Sequence, residues 1–258
     1  MNKSFTRNLL AAGALLASVA IPATASAATM LFGLTGLTIQ SGAGFNFTTQ
    51  TVTVGAETVK VRISAWSLSG TSGNGTVSSS TLGSFGSGLG AISGGETATN
   101  THTLDNQISR DFLVFQFDKS VKLVDALFTP FALAGNAADT DFTVGVGTTA
   151  TAWNVQPALN GMTNAALTTM FGGSLAHYVG SNVANTKAVN PSGTYGNMWM
   201  IGASFNNPDT VFDSYKLKNV TAVTAPVPES ATWMMMIAGF GIVGATMRRK
   251  AAAVRAVA

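Results

Sequence analysis

The run Phe112-Leu113-Val114-Phe115-Gln116-Phe117 lies near the middle of a 258-residue chain and contains a single polar residue. Successive side chains of a β-strand point to opposite faces of the sheet, so an apolar run of this kind predicts a strand covered on both faces. We therefore expect this strand to be central in its sheet.

Apolar and polar residues alternate in several segments on both sides of this run. Val59, Val61 and Ile63 alternate with Lys60 and Arg62, which predicts a half-buried strand. Further strands are predicted over 121–133, where Pro130 marks a bend or an edge, and over 142–146, 199–205 and 215–220. One segment, 164–171, is typical of a short helix that ends at two glycines.

Short strands separated by glycine-rich turns favour a mainly β fold, a sandwich or a jelly roll, over alternating strands and helices. We predict one exported β-rich domain over residues 28–225. Within it, residues 69–95 contain nine glycines and eight serines, a composition that predicts a flexible loop. A ligand-facing loop is the alternative, since long loops often carry function.

The first 27 residues have the three parts of a secretory signal peptide. Two basic residues precede an uncharged apolar stretch, residues 9–21, and the small residues Ala25 and Ala27 follow it. Signal peptidase recognises this arrangement, so we predict cleavage before Ala28. The alternative is an uncleaved membrane anchor, for which the apolar stretch is short.

The other end of the chain carries a predicted transmembrane helix. Residues 231–247 contain no charged side chain, and seventeen residues is the lower limit for crossing a bilayer. Trp233 stands near the start of this span, and the basic stop Arg248-Arg249-Lys250 follows it directly. By the positive-inside rule, residues 28–230 are outside and the tail, residues 251–258, is cytoplasmic. The alternative is a buried core helix.

The residues around this span carry a family resemblance. A short motif, Val227-Pro228-Glu229-Ser230-Ala231-Thr232-Trp233, is followed by the apolar span and then by the basic stop. This order resembles the PEP-CTERM sorting signal, in particular its PEPxxWA variant, over residues 226–250. Ser230 stands where the family has its second proline. The same kind of tail is also labelled an ice-binding protein C-terminal domain, a label that describes the sorting module.

The resemblance implies how the protein is sorted in a Gram-negative bacterium. An exosortase, a membrane cysteine protease-transpeptidase, would recognise the motif and remove the span. The span would anchor the protein in the inner membrane only transiently. The processed domain would then be attached at the outer surface or released, often within the exopolysaccharide of a biofilm. The implied partners are signal peptidase, the exosortase and the inner membrane, with exopolysaccharide as a further candidate.

The positive net charge of the chain comes from its targeting ends. Six of the fourteen basic residues lie in these ends, whereas all eleven acidic residues lie between residues 28 and 230. The exported region therefore has eight basic and eleven acidic residues, so its net charge is −3. A nucleic-acid partner is not expected on this balance. The absence of cysteine excludes disulfides, Cys-ligated zinc and thiol nucleophiles.

A short acidic segment is the best candidate for ligand chemistry. Asp139 and Asp141 share one face of an extended backbone, and Asn136 could add an amide carbonyl. Because calcium prefers hard oxygen ligands, these three residues are the candidate ligands of a calcium site. The alternative is a solvated turn that precedes a strand. No other cofactor is expected.

Aromatic residues are candidates for sugar binding if they are exposed. We expect Trp66, beside the Gly/Ser-rich segment, to be exposed and Trp199, in an alternating strand, to be buried. Trp153 and Tyr195 are the other two candidates. The chain has only two histidines and no G-x-S-x-G motif, so no catalytic residue is predicted.

The predicted function is a non-enzymatic exported surface protein with a structural role in the envelope or exopolysaccharide matrix. A carbohydrate-binding surface module, with calcium assisting, is the alternative. A secreted hydrolase is a more distant third hypothesis.

Overall fold

The computed structural model describes residues 27–42, 45–70, 75–94, 102–133, 137–226, 236–244 and 248. Residues Ala27–Pro226 form one compact unit, to which the two ends of the chain do not belong. Strands dominate this unit, which confirms the predicted mainly β class. Outside it, residues 236–244 and 248 are helical and exposed.

The described residues of the compact unit form fourteen strands and one short helix. The strands are β1 (Thr29–Gly33), β2 (Gln40–Gly42), β3 (Phe45–Val54), β4 (Glu57–Ser69), β5 (Val77–Ser79), β6 (Thr81–Phe85), β7 (Gly88–Ile92), β8 (Leu104–Asp105), β9 (Ser109–Pro130), β10 (Phe142–Gly147), β11 (Ala176–Tyr178), β12 (Asn185–Ala188), β13 (Gly196–Ala203) and β14 (Ser214–Thr224). The helix α1 (Asn164–Met170) begins where the Thr163 hydroxyl accepts from the Ala166 amide. It ends before Gly172 and Gly173, which both have positive φ, as the sequence predicts.

Hydrogen bonds join the fourteen strands into one antiparallel sheet, whereas the expected sandwich or jelly roll has two separate sheets. The cause is β9, which is 22 residues long and covers two segments that the sequence predicts as separate strands. Its first half pairs with β4 and β13, and its second half pairs with β14 and β12. One strand therefore belongs to both halves of the sheet.

The two halves of the sheet pack against each other around the main core. Phe128, in the second half of β9, stacks on Phe142 of β10 with ring centroids 4.5 Å apart. Phe32 of β1 meets Phe117 of β9 edge to face at 5.7 Å. Fully buried side chains from both halves complete this core, among them Val61, Phe115, Leu123, Trp199, Tyr215 and Val220.

A second core covers the outer face of the first half of the sheet. Leu167 of α1 and Phe171, which caps it, pack there with buried residues of β4 and β13. Along β9, Phe112 and Val114 face this second core, while Leu113, Phe115 and Phe117 face the main core. The prediction of a central strand is therefore confirmed, and its two apolar faces correspond to two cores.

Two predictions about β4 are wrong. Trp66, which we expected to be exposed, is fully buried within the second core. Arg62, expected on a solvent face, is only 5% exposed. Its guanidinium donates to the Asn154 carbonyl and to Gln156 Oε1, each at 3.2 Å, and lies 3.7 Å from the centroid of the Phe47 ring. From Val61 to Leu68 the strand is therefore covered on both faces, whereas Lys60 is exposed.

The segment predicted as a flexible Gly/Ser-rich loop, residues 69–95, also differs from expectation because it contains β5, β6 and β7. Leu82 and Leu89 of these strands are buried in the main core. The backbone at Gly90 lies close to the backbone at His102, because a Cβ on residue 90 would lie 1.6 Å from the His102 carbonyl oxygen. Small residues therefore allow backbones to approach each other here, which composition alone does not distinguish from a loop.

Most residues of the predicted targeting signals lie outside the described residues. These are Ala25, Val227, Pro228, Glu229, Ser230, Trp233, Arg249 and Lys250. Of the predicted span 231–247, residues 236–244 are described and are helical. No helix in the described part of the chain has the length and apolar character that crossing a bilayer requires.

Candidate functional site

Three aspartates meet beside the start of two strands. Asp139 and Asp141 precede or adjoin β10, and Asp213 directly precedes β14. One carboxylate oxygen from each residue lies within 4.8 Å of those of the other two. Asp139 is partly exposed, Asp141 is 2% exposed and Asp213 is fully buried. The structure thus joins the predicted pair to a third residue that was not predicted; Asn136 lies outside the described residues.

Backbone contacts fix the segments that carry these aspartates. The Ser214 amide donates to the Asp139 carbonyl at 2.9 Å, which ties the start of β14 to the segment before β10. The Gly180 amide donates to Asp141 Oδ1 at 2.6 Å. Residue 180 must be glycine in this conformation, because a Cβ there would lie 2.1 Å from the Thr140 carbonyl oxygen. We call Asp139, Asp141 and Asp213 the acidic cluster. Contacts among three separate segments of the chain, residues 139–141, 180 and 213–214, hold it in place.

The two oxygens of Asp213 have different surroundings. Asp213 Oδ2 accepts hydrogen bonds from the Asn106 side-chain amide and from the Ser204 backbone amide, the latter at 3.0 Å. Asn106 Oδ1 in turn accepts from the Asp213 backbone amide at 3.0 Å. Asp213 Oδ1 is buried and has no hydrogen-bond partner among the described residues. Oδ2 thus fixes the position of the Asp213 side chain, and Oδ1 is available to a ligand of the acidic cluster.

Burial and neighbouring negative charges disfavour the ionised form of Asp213. Burial raises the pKa of Asp213 to about 8, and the charges of Asp141, Asp139 and Asp209 contribute in the same direction. The hydrogen bond from the Ser204 amide lowers this pKa but is outweighed. In the metal-free protein, Asp213 therefore holds a proton at neutral pH.

The other two carboxyl groups are perturbed in the same direction. Burial raises the pKa of Asp139 to about 6, against a hydrogen bond from the Thr140 amide, and the charges of Asp141 and Asp209 raise it further. Burial also raises the pKa of Asp141, while the nearby Lys187 lowers it. The acidic cluster therefore concentrates negative charge that Lys187 compensates only in part.

Tyr215 brings a neutral oxygen near the same cluster. Its side chain is fully buried, and its hydroxyl has no hydrogen-bond partner in the described part of the chain. Burial, followed by the charges of Asp213 and Asp141, raises the pKa of Tyr215 well above its ordinary value. The hydroxyl therefore stays protonated and lies within electrostatic reach of Asp213 and Asp141.

A polar pocket of about 320 Å³ adjoins the acidic cluster through Asn106 and Ser204. It is lined by Asn106, Gln107, Arg110, Ser204, Phe205, Asn206, Asn207 and Phe212. The amide side chains of Gln107, Asn206 and Asn207 can form hydrogen bonds with hydroxyl groups, and the two phenylalanines offer apolar surface. Such a mixture of a few directed polar groups and aromatic rings is typical of small-ligand sites.

The aromatic residues proposed for sugar stacking do not gather at this pocket. Trp199 is fully buried, as predicted, and its indole donates to the Gly196 carbonyl at 3.1 Å. Trp153 is half-buried. Tyr195 is 36% exposed, and the Lys122 ammonium lies 5.7 Å from its ring centroid.

The two histidines lie on different segments. The His102 ring contacts the Phe85 ring at 5.0 Å. His177 Nδ1 shares a 2.8 Å hydrogen bond with the Thr143 hydroxyl, which also accepts from the Phe205 amide. The Thr143 hydroxyl thus ties β10 to the segment after β13.

Sequence reasoning missed Asp213 because its contact with Asp139 and Asp141 depends on how distant strands pair. The available signal was an aspartate two residues before a predicted strand, a position similar to that of Asp141, which precedes the strand predicted from residue 142. Comparisons of the chain with protein-family models, with curated proteins and with solved structures gave no match. The ligand of the acidic cluster must therefore be inferred from the chemistry of Asp139, Asp141 and Asp213.

Proposed function

We propose that the protein is a non-enzymatic surface protein, exported across the inner membrane and sorted by an exosortase through residues 226–250. The main support is that the compact β unit and the predicted exported domain have nearly the same boundaries. The compact β unit Ala27–Pro226 begins and ends within one residue of the exported domain, 28–225, that the targeting signals define. The processed protein would then consist of this unit, with a structural role in the envelope or exopolysaccharide matrix.

The contacts of Ala28 are compatible with cleavage before it. The Ala28 amide donates to Thr224 Oγ1 at 3.0 Å, and the Thr224 amide donates to the Ala28 carbonyl at 3.1 Å. An amino group created by cleavage at this position can still donate to the threonine hydroxyl. We also propose that the exported domain is a sandwich-like fold. The two halves of its single sheet enclose the main core in the way that the two sheets of a sandwich do.

Deleting the exosortase gene of the producing bacterium is expected to leave a heavier, membrane-retained form of the protein. The motif variant Pro228→Ala with Glu229→Ala should give the same form in the wild-type strain. Pro191→Ala, a proline-to-alanine change at an exposed position of the β unit and outside the sorting signal, serves as the control and should be processed normally. Intact-mass measurement of fractionated cells checks this, and an unchanged mature mass after the deletion would contradict the proposal.

The polar pocket favours carbohydrate binding as a second candidate function. We expect exopolysaccharide from the same envelope to bind the purified protein, and Gln107→Ala with Asn206→Ala to weaken this binding about tenfold or more, because both side chains line the pocket. Asn160→Ala, at an exposed position that does not line the pocket, is the matched control. A glycan-binding screen without any affinity for envelope polysaccharide would remove this candidate.

A further inference from the structure

We propose that Asp139, Asp141 and Asp213 bind one calcium ion in the exported domain. Their carboxylate oxygens already lie within 4.8 Å of one another, although they come from two distant parts of the chain. Three ionised carboxylates at such distances would repel one another, so an arrangement of this kind is favourable when a cation lies between them. All three residues belong to the β unit Ala27–Pro226, so the site is separate in sequence from the sorting signal.

Two buried oxygens without partners provide a separate reason for placing a ligand here. Asp213 is fully buried, and its Oδ1 atom has no hydrogen-bond partner in the described residues, although Oδ2 has two. The fully buried Tyr215 hydroxyl is also without a partner there. Buried polar oxygens nearly always have a partner, and one left without costs free energy. A cation in the acidic cluster would give Asp213 Oδ1 that partner.

The donor set favours calcium over other common metals. It consists of carboxylate oxygens, and Asp209 stands close enough to Asp139 to affect its ionisation. Zinc, copper, iron and nickel prefer imidazole or thiolate ligands, and the chain has no cysteine. Magnesium requires strict octahedral geometry and retains several waters, whereas calcium accepts irregular shells of several carboxylates.

The position of the cluster indicates what the ion would do. It would tie the segment before β10 to the start of β14, where the Ser214 amide already bonds to the Asp139 carbonyl. Asn106 and Ser204 connect Asp213 to the polar pocket, so bound calcium would also fix one wall of that pocket. Extracellular calcium modules bind with dissociation constants of about 10⁻⁴ to 10⁻³ M, and we expect an affinity in this range or tighter.

The test is a calorimetric titration of the purified, EDTA-treated protein with calcium chloride, accompanied by thermal melts. We expect one equivalent of calcium to bind and the melting temperature to rise. Asp213→Asn should weaken binding by at least about tenfold, since it removes one anionic ligand. Its melt without calcium reports folding, because the isosteric amide can still accept the two hydrogen bonds now made to Oδ2.

Asp118→Asn is the matched control because it removes the same charge from an exposed aspartate that bonds to the Lys60 amide. It should keep the calcium response of the wild type. The proposal is overturned if about 10 mM calcium, tenfold above the weakest expected constant, produces neither heat nor a shift in melting temperature. It is also overturned if folded Asp213→Asn binds calcium as the wild type does, or if magnesium produces an equal response.

Discussion

Replacing Phe128 with alanine is expected to lower the free energy of unfolding by about 3–5 kcal/mol. Phe128 is fully buried where the two halves of the sheet meet. Its ring stacks on Phe142 at 4.5 Å and meets Tyr215 edge to face at 5.0 Å. Truncation would leave a cavity between the halves and remove both ring contacts.

Chemical denaturation of the purified variants measures this effect. Leu31→Ala is the control, because Leu31 is 59% exposed on β1 and its truncation should change stability by about 0.5 kcal/mol or less. If Phe128→Ala cost no more than Leu31→Ala, the two halves of the sheet would not share one core as described.

The second large effect is a loss of stability of the metal-free protein as the pH rises from about 4 to about 8. Asp213 has a pKa of about 8 in the folded protein and an ordinary value of 3.8 when unfolded. Between these values the folded state holds a proton that the unfolded state has released, so stability decreases with pH. The slope is about 1.4 kcal/mol per pH unit for each such proton.

The other charged groups around Asp213 affect the same pH range. Asp139, with a pKa of about 6, steepens the loss between about pH 4 and 6, and Asp141 acts in the same direction. Asp209 adds negative charge, and Lys187 opposes part of the effect at Asp141. The stabilisation is therefore complete below about pH 4 and lost by about pH 8.

Denaturation curves at several pH values in EDTA check this dependence. Asp213→Asn should make the loss smaller, above all between about pH 6 and 8, because the amide has no proton to lose, and Asp118→Asn should not. A metal-free wild type whose stability is constant or increases between pH 5 and 8 would contradict the electrostatics of the acidic cluster.

The main core and the central strand could be predicted from local patterns. The run 112–117 is apolar on both faces, and the structure places it between β4 and β13 with a core on each side. The helix over 164–171 could also be predicted from the sequence, because the residues that begin and end it lie next to it in the chain. These features depend on residues close together in the chain.

Features that depend on distant pairing could not be predicted in the same way. Trp66 is buried because α1 and its neighbours cover the outer face of β4, and nothing near Trp66 in the sequence signals that cover. The two predicted strands at 112–117 and 121–133 are largely one continuous strand, β9, which changes partners along its length. Composition likewise could not distinguish β5, β6 and β7 from a loop.

The candidate site was half predictable for the same reason. Asp139 and Asp141 lie two residues apart, so their shared face follows from extended backbone geometry. Asp213 joins them only because β14 begins where the segment before β10 ends, a contact made by the Ser214 amide and the Asp139 carbonyl. That tertiary contact also buries Asp213, and burial raises the pKa of this residue to about 8.

A crystal structure of the purified protein grown with calcium at neutral pH gives the decisive result on the acidic cluster. We expect one ion, identified by its anomalous scattering, with oxygens of Asp139, Asp141 and Asp213 at about 2.3–2.6 Å. An acidic cluster that holds no ion at saturating calcium, with the three carboxyl groups sharing protons instead, would contradict the assignment.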